Sequence, residues 1–230
     1  MLNFQQTEIK MKKCLNVLKT CPLFAGIEEE ELTAMFGCFG AKPQKFEKGE
    51  AILSEGDPVR WIGVVLSGTV QIVQVDYYGN RSMMAKLGPA DIFAEAFACA
   101  GVKEMPVDAV AAETTEVLLI DAGRMLQPCS AQCSFHQRLI RNLLKVVASK
   151  NLALRQKIEI TSQRSTREKL MAYLLLQAKR AGKDSFSIAY DRQELADFLE
   201  VDRSGLSAEI SKLRKEGKLI CRKNHFQLLS

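Results

Sequence analysis

The sequence predicts an α+β protein with an N-terminal β-roll, a long central helix and a C-terminal winged helix-turn-helix domain. Seven of the fourteen glycines lie between Gly49 and Gly101, where they separate short runs of β-forming residues. No proline follows Pro128, which permits long helices beyond it. Two short helix patterns follow in a basic C-terminal region. With 230 residues and a hydrophobic content of 47%, the chain is long enough for one large domain or two small ones.

The N-terminal part, residues 1–127, combines two helices with a set of strands. Helical periodicity extends over residues 8–40, and Pro22 separates a first helix from a second at residues 28–36. The segment 77–80, which contains Gly79 and Asn80, has the composition of a hairpin turn. Strands are predicted at residues 51–53, 61–66, 70–75, 82–87 and 116–121. Short strands separated by glycines are typical of an antiparallel barrel or roll.

A heptad pattern predicts a long helix over residues 128–161 that pairs with a second copy of the chain. The pattern positions, spaced four, three, four, three and four residues apart, are Ile140, Leu144, Val147, Asn151, Leu154 and Ile158. An Asn on such a seam fixes register and strand number. In the alternative, the helix packs on its own β domain, with Leu139 and Leu143 among the contacts. The narrow, periodic stripe favours a homodimer.

The positive charge of the chain is confined to its C-terminal end. Residues 1–160 carry 18 Lys+Arg and 18 Asp+Glu, whereas residues 161–230 carry 14 and 9, which accounts for the whole net charge of +5. A neutral body followed by a basic domain indicates a polyanionic partner, most often nucleic acid. A solvated basic face is the alternative.

Two short helices form the predicted helix-turn-helix motif within residues 162–230. Asp191 and Glu194 have the spacing of a capping box, which starts a helix at Arg192–Leu199. A second helix is capped by Asp202 and ends near Gly217, so only residues 200–202 join the two. Such a pair of helices places its second member in the major groove of DNA.

The predicted DNA-contacting residues lie mainly on the outer face of the second helix. Arg203 is expected to pair with guanine through two hydrogen bonds, and serine hydroxyls suit base edges or phosphate. A basic hairpin tip at residues 222–225 predicts a wing. The candidate residues are Arg203, Ser204, Ser207, Ala208 and Lys212, together with Arg192 and Lys223. Gly205 costs the helix about 1 kcal/mol, which indicates either close approach to DNA or a tolerated glycine.

The order of these elements resembles the Crp/Fnr family of bacterial transcription regulators over nearly the whole chain. The supporting motifs are Leu23-Phe24, Gly49-Glu50, Glu55-Gly56-Asp57, the segments 66–70 and 88–95, and the helix-turn-helix. The resemblance implies a cyclic-nucleotide-binding-like roll as sensor and a homodimer that binds double-stranded DNA at a near-palindromic operator. It also implies RNA polymerase as a partner. Ser204 and Ala208 stand where many members carry Glu and Arg, which implies a different half-site.

The resemblance also implies an unknown small-molecule effector other than cyclic AMP. Members that bind cyclic nucleotides carry a Gly-Glu pair and an Arg-Ser pair around the phosphate, whereas here Ala94 precedes Glu95 and the segment 105–108 supplies no cation. The candidate effector-pocket residues are Phe93, Ala94, Glu95, Phe97, Met83, Met105 and Val107. Packing in the roll core is the alternative role for most of them.

The remaining chemistry-bearing residues favour no cofactor and no enzyme. Seven cysteines are scattered, and the spacing of Cys14, Cys21 and Cys38 does not match the iron-sulfur branch of the family, so no cofactor is required. Cys129 and Cys133, four residues apart, suit a thiol redox sensor, but burial as small hydrophobes is favoured.

Neither histidine lies in a catalytic arrangement; His136 is expected on a helix surface and His225 in the wing. No apolar run spans a bilayer, and the first residues do not have the order of a signal peptide. The sequence therefore predicts a cytoplasmic protein that is not an enzyme and has no membrane partner. The rival hypothesis is a small-molecule-binding or thiol redox-sensing module without specific DNA binding.

Overall fold

The computed structural model describes residues 14–75, 77–78, 81–127 and 134–229. The chain divides into two compact units, residues 1–149 and 150–230. The central helix α5 contributes residues to both units, because it extends over Ser134–Thr161. None of the described helices is long and apolar enough to cross a membrane.

The first unit contains eight described strands and the helices that pack on them. Helix α1 includes residues 14–20, and a 3-10 turn at Pro22–Phe24 separates it from α2 at Glu29–Cys38. The strands are β1 Lys42–Phe46, β2 Ala51–Leu53, β3 Trp61–Ser67, β4 Val70–Val75, β5 Arg81–Leu87, β6 Ile92–Phe93, β7 Asp108–Ala111 and β8 Thr115–Asp121. Two short helices, α3 at Glu95–Cys99 and α4 at Ala122–Leu126, complete the unit with the start of α5.

The strands form two antiparallel four-stranded sheets, with orders β1-β8-β3-β6 and β2-β7-β4-β5. This arrangement confirms the predicted roll. The strands β4 and β5 pair as the predicted hairpin requires, and Tyr77 and Tyr78 form part of its turn, whereas Gly79 and Asn80 lie outside the described residues. Sequence analysis missed β1, β6 and β7. The first is polar and contains Pro43, and the others have only two and four residues.

The sheet β1-β8-β3-β6 is buried on both faces at its centre. In β3, Ile62 and Val64 pack against the helices, whereas Val65 points to the other sheet. In β8, Leu118 and Val117 divide in the same way. Alternate residues of a strand face opposite sides, so a strand covered on both sides needs a continuous apolar run. These runs are the reason that both strands were recognisable in the sequence.

Helix α5 is anchored to the first unit through one face. Leu139 and Leu143 are buried in the core between the helices and the sheet. Between them, the Asn142 side chain donates hydrogen bonds to the carbonyls of Leu23, at 3.1 Å, and Ala25, at 2.8 Å. Leu139 and Leu143 therefore pack on their own β domain, as the alternative expects. The other face of the helix, which includes Leu144, is exposed and available for pairing.

The expectation that His136 lies on a helix surface is wrong. Its side chain is buried, and Nε2 lies 2.7 Å from the carbonyl oxygen of Met125, to which it donates. Its ring lies edge-on to Phe39, with centroids 5.0 Å apart. Residues at i, i+3 and i+7 share a helix face, so His136 belongs with Leu139 and Leu143. His225 begins the last strand of the chain, β11 at His225–Leu228, as expected for the wing.

The second unit combines three helices with a three-stranded sheet. Helix α6 extends over Thr166–Ala181, α7 over Arg192–Leu199 and α8 over Arg203–Lys215. Strands β9 Ser185–Ser187, β10 Leu219–Arg222 and β11 His225–Leu228 form an antiparallel sheet in the order β10-β11-β9. The core of this unit includes Ile160, from the last turn of α5.

Replacement of Gly68 by Ala is expected to destabilise the roll. Gly68 has φ +78°, and an added Cβ would lie 2.6 Å from both the Thr114 carbonyl oxygen and Thr115 Oγ1. We expect Gly68→Ala to lower the free energy of unfolding by about 2 kcal/mol or more. Urea unfolding followed by the fluorescence of Trp61, the single tryptophan, measures this unit.

Gly88→Ala is the matched control, because its chain neighbours are the only described residues with atoms within 4 Å of the added Cβ. We expect it to change the free energy of unfolding by less than about 0.5 kcal/mol. Equal urea midpoints for the two variants would contradict the conformational requirement at Gly68.

Candidate nucleic-acid interface

Helix α7 begins at a capping box. The Asp191 side chain accepts from the backbone N–H of Glu194 at 2.8 Å, and the Glu194 carboxylate accepts from the backbone N–H of Asp191 at 2.8 Å. The reciprocal pair satisfies two backbone donors that a helix start leaves open. The predicted start and end of α7 are both confirmed.

The turn between α7 and α8 contains a residue in a left-handed conformation. Glu200 has φ 53° and ψ 54°, a region that favours glycine. The ammonium of Lys169 donates to the carbonyls of Leu199, at 3.2 Å, and Glu200, at 3.4 Å. A cation at this place stabilises the last carbonyls of the helix. The turn therefore carries the steric cost of a side chain in this conformation, and Lys169 of α6 stabilises it.

Helix α8 separates an inner apolar face from an outer polar one. Leu206, Ile210 and Leu213 are buried in the core of the unit. The five candidate residues of this helix, Arg203, Ser204, Ser207, Ala208 and Lys212, are all exposed. Asp202 occupies the predicted N-cap position but makes no side-chain capping bond. Instead, its carboxylate accepts from the Ser204 hydroxyl at 3.2 Å.

A salt-bridge network that the sequence analysis missed holds two carboxylates, Glu209 within α8 and Glu216 just after its end. Arg167, at the start of α6, donates to both carboxylate oxygens of Glu216, with 2.9 Å between Nη1 and Oε1. Its Nη1 also lies 3.5 Å from Oε1 of Glu209. The hydrogen bond from Arg167 lowers the pKa of Glu216. Sequence alone could not predict this network, because Arg167 is 42 residues from Glu209 and 49 residues from Glu216.

The wing is the hairpin of β10 and β11, whose turn residue Lys223 is exposed and has φ 54°. Arg192, another candidate DNA-contacting residue, is half-buried instead. Its guanidinium carbon lies 5.9 Å from the ring centroid of Phe226, and its Nη2 lies 3.4 Å from Cys221 Sγ and 3.5 Å from the Lys223 carbonyl. Arg192 therefore connects α7 to the wing.

The structure gathers most of the candidate effector-pocket residues into the roll core. Phe93, Ala94, Met105 and Val107 are buried together between the sheets, with Phe97 half-buried beside them, and Glu95 is buried at the start of α3. Met83 does not join this group. Its side chain is 60% exposed and lines an open groove with residues of β4 and β7. It lies beside a shift in the pairing register of β4 and β5.

The loop around Glu95 has the backbone conformation that the resemblance implies, but the segment 105–108 carries an acid where a cation is expected. Ala94 has φ 63°, the left-handed conformation that suits the glycine expected there from the resemblance. Asp108, in the segment expected to hold a cation, accepts a hydrogen bond from the backbone N–H of Glu55 at 2.8 Å. Its carboxylate would repel a phosphate group.

The predicted dimer seam is mostly exposed in the single chain. Exposed fractions are 37% for Ile140, 68% for Leu144, 61% for Leu154 and 64% for Ile158. Asn151 is exposed as well, whereas Val147 is half-buried against the helical core of the first unit. Exposed apolar residues in such a row are characteristic of interaction surfaces.

The cysteines of the described chain are dispersed. Cys14 and Cys21 are buried, Cys38 and Cys99 are exposed, and Cys221 is half-buried, whereas Cys129 and Cys133 lie outside the described residues. Although Cys99 is exposed, partial desolvation of its thiol and the nearby Glu95 raise its pKa. Among the residues that the structure describes, no group of three or more His, Cys, Asp or Glu side chains is placed to hold a metal ion.

Comparison with known proteins gives matches to both parts of the chain. The cyclic nucleotide-binding domain family matches residues 43–132, and the Crp-like helix-turn-helix domain family matches residues 168–230. The chain is 27% identical to the cyclic AMP receptor protein of Thermus thermophilus, over 87% of this chain and 88% of that protein. It is 22% identical to the transcriptional activator protein FnrL of Cereibacter sphaeroides, over 76% and 71%.

Solved structures share the fold as well. The c-di-GMP responsive global regulator CLP of Xanthomonas campestris superposes with a TM-score of 0.58 at 15% identity. The superposition covers 88% of this chain and 100% of that chain. At this identity, the likeness concerns the fold alone.

Replacement of Glu200 by Gly is expected to stabilise the second unit. Glycine adopts the left-handed conformation without the steric cost that a Cβ brings, so we expect the free energy of unfolding to rise by about 1 kcal/mol. Urea unfolding followed by far-UV circular dichroism measures the change.

Glu200→Gln is the matched control, because it removes the carboxylate that lies 3.6 Å from Lys157 Nζ but keeps the strained backbone. This exposed ion pair is worth little, so we expect a change of less than about 0.5 kcal/mol. A Gly variant no more stable than the Gln variant would show that the turn is not strained.

Proposed function

Because the chain belongs to the Crp/Fnr family of transcription regulators, we propose that it is a homodimeric, effector-gated regulator that binds specific DNA sites. The observation that carries this proposal is the outer face of α8. That face is exposed and polar and begins with Arg203, while the opposite face of α8 is packed in the core of the unit. A rigid helix with a free polar face is the arrangement that reads base edges in the major groove.

Charge supports DNA as the ligand of this face. Residues 161–230 hold the whole positive excess of the chain. Arg203 offers the paired donors that match guanine. Lys212 Nζ lies 3.6 Å from a carboxylate oxygen of Glu209, but its side chain is 67% exposed and long enough to reach a phosphate. The Arg167 network offsets the charges of Glu209 and Glu216, which would otherwise repel the DNA backbone.

The exposed stripe of α5 supports the homodimer. Ile140, Leu144, Leu154 and Ile158 follow one another along one helix and leave large apolar side chains in water. Pairing of two such helices would bury both stripes and give the two recognition helices a fixed separation. A dimer of this kind reads two half-sites about one turn of DNA, ~34 Å, apart. A near-palindromic operator follows from the two-fold symmetry.

The roll is the proposed sensor, with an effector other than cyclic AMP. Asp108 replaces a cation with an anion, and Met105 and Val107 are buried apolar residues in the same segment. The site thus suits a less anionic ligand near Glu95. Gating requires that the effector bind one of two dimer geometries more tightly, which shifts the population toward that geometry. RNA polymerase as a partner and a cytoplasmic location complete the proposal.

Replacement of Arg203 by Ala should relax sequence preference at one base position in each half-site. Loss of a bidentate contact to guanine costs about 1–3 kcal/mol of discrimination, so we expect a roughly 5- to 150-fold loss at that position. The operator is first selected from random duplexes with the wild-type protein. Fluorescence anisotropy at several salt concentrations then compares the selected site with single-base variants.

Arg203→Lys is the matched control, since it keeps the charge but not the paired donors. We expect it to keep the salt dependence of binding while it loses the discrimination. Unchanged base preference in both variants would contradict the assignment of Arg203. No selective, salt-dependent binding by the wild type, with or without screened ligands, would favour a ligand-binding module without specific DNA binding.

Replacement of Leu144 by Glu should weaken the dimer. A carboxylate from each chain would be buried in the apolar seam, so we expect the dimer dissociation constant to rise by at least about 100-fold. Sedimentation equilibrium measures it. Ser149→Glu introduces the same charge on an exposed position outside the seam and should leave the constant unchanged within about threefold. Equal effects of the two variants would contradict the proposed interface.

A further inference from the structure

The second unit contains a cavity of about 360 Å³ between the last turns of α5, helix α6 and helix α7. A cavity of this size falls in the range of small-molecule sites. Its lining combines three aromatic rings, two cations, two amides and four aliphatic side chains, namely Tyr173, Tyr190, Phe198, Lys157, Arg180, Gln156, Gln177, Ala153, Ala189, Ile160 and Leu176. None of these residues belongs to the candidate DNA-contacting or effector-pocket sets.

The aromatic side chains form a continuous wall. The rings of Tyr173 and Tyr190 are stacked with an interplanar angle of 28° and centroids 6.3 Å apart. Phe198 contacts both, with centroid distances of 5.3 Å to Tyr173 and 5.2 Å to Tyr190. Tyr190 and Phe198 are half-buried, and as residues of the cavity lining they offer a planar ligand an aromatic surface for stacked or edge-to-face contact.

The charges of the lining are positive. Lys157 Nζ lies 5.8 Å from the centroid of Phe198, and the Arg180 guanidinium donates to the side-chain oxygen of Gln156. Arg180 retains further N–H donors beyond that bond. Among the described residues that line the cavity, none carries a carboxylate. The carboxylate of Glu200, which is not part of the lining, lies 3.6 Å from Lys157 Nζ and forms a salt bridge with it.

Besides the two cations, the hydroxyl of Tyr173 supplies the lining with a hydrogen-bond donor. Burial, together with the neighbouring Tyr190, raises the pKa of Tyr173 to about 12, although Arg180 opposes the shift. The hydroxyl of Tyr173 therefore keeps its proton at neutral pH. A protonated phenol can donate to an anion, whereas a phenolate would repel one.

We propose that this cavity binds a small planar aromatic anion, with its ring against the aromatic wall and its carboxylate near Arg180 and Lys157. The proposal goes beyond the regulator function, since it adds a ligand site in the DNA-binding unit to the one expected in the roll. Tyr190 directly precedes the N-cap of α7, and Phe198 lies within α7. A bound anion would therefore stabilise the first helix of the helix-turn-helix against the end of α5.

Benzoate is the probe for this site. Titration of sodium benzoate into the full-length protein, followed by calorimetry and by saturation-transfer NMR of the ring protons, should show saturable binding. We expect a dissociation constant of about 1–10 mM, as befits so small a ligand. Acetate lacks the ring and benzylamine reverses the charge, so both should bind at least about fivefold more weakly. Equal binding of all three, or no saturation by benzoate, would overturn the proposal.

Two variants assign the binding to this cavity. Arg180→Gln and Lys157→Gln should each weaken benzoate binding by at least about fivefold, since each removes one cation near the carboxylate. Lys183→Gln removes an exposed cation outside the lining and should leave binding unchanged. Benzoate binding that survives both lining variants would place the ligand elsewhere and overturn the assignment. These titrations contain no DNA, so their failure leaves the proposed DNA binding untouched, and the reverse also holds.

Discussion

The architecture depends on a central helix that carries two apolar faces. Leu139 and Leu143 anchor α5 to the roll, with Asn142 bonded to backbone carbonyls beside them. Leu144 and Leu154 leave a second apolar row in water. A helix that packs on its own domain usually buries a single stripe, and a second, exposed apolar row is characteristic of an interaction surface. The proposed dimer, the paired half-sites and the palindromic operator all follow from the burial of that second row.

The recognition helix, in turn, is positioned by polar contacts at the ends of the helices around it. Lys169 holds the strained turn at Glu200, and Arg192 connects α7 to the wing. Arg167 binds the carboxylates of Glu209, in α8, and Glu216, which follows it. Because the inner face of α8 is fixed by apolar packing, its outer face is available for base contacts at little structural cost. In the proposed function, substitutions at the exposed Arg203 and Ser204 change specificity without loss of the fold.

Local signals explain what the sequence could predict, and long-range contacts explain what it could not. The capping box predicted the start of α7, and continuous apolar runs predicted β3 and β8, which are buried on two faces. The burial of His136 was not predicted, because its partners, Phe39 and Met125, are distant in the sequence and lie in other parts of the fold. The aromatic cavity escaped notice for the same reason, since its residues come from three helices and a loop. The polar strand β1 has no apolar pattern to detect.

The central claim is that two copies of the chain, paired through α5, read two half-sites in a fixed geometry. Its most direct test is the affinity for the selected operator as the spacing between half-sites is varied. A paired dimer should bind best at one spacing and lose at least about tenfold in affinity when five base pairs are inserted, because half a turn of DNA moves one half-site to the opposite side. Affinity that does not depend on the spacing would mean that the chains bind independently, and it would contradict this account.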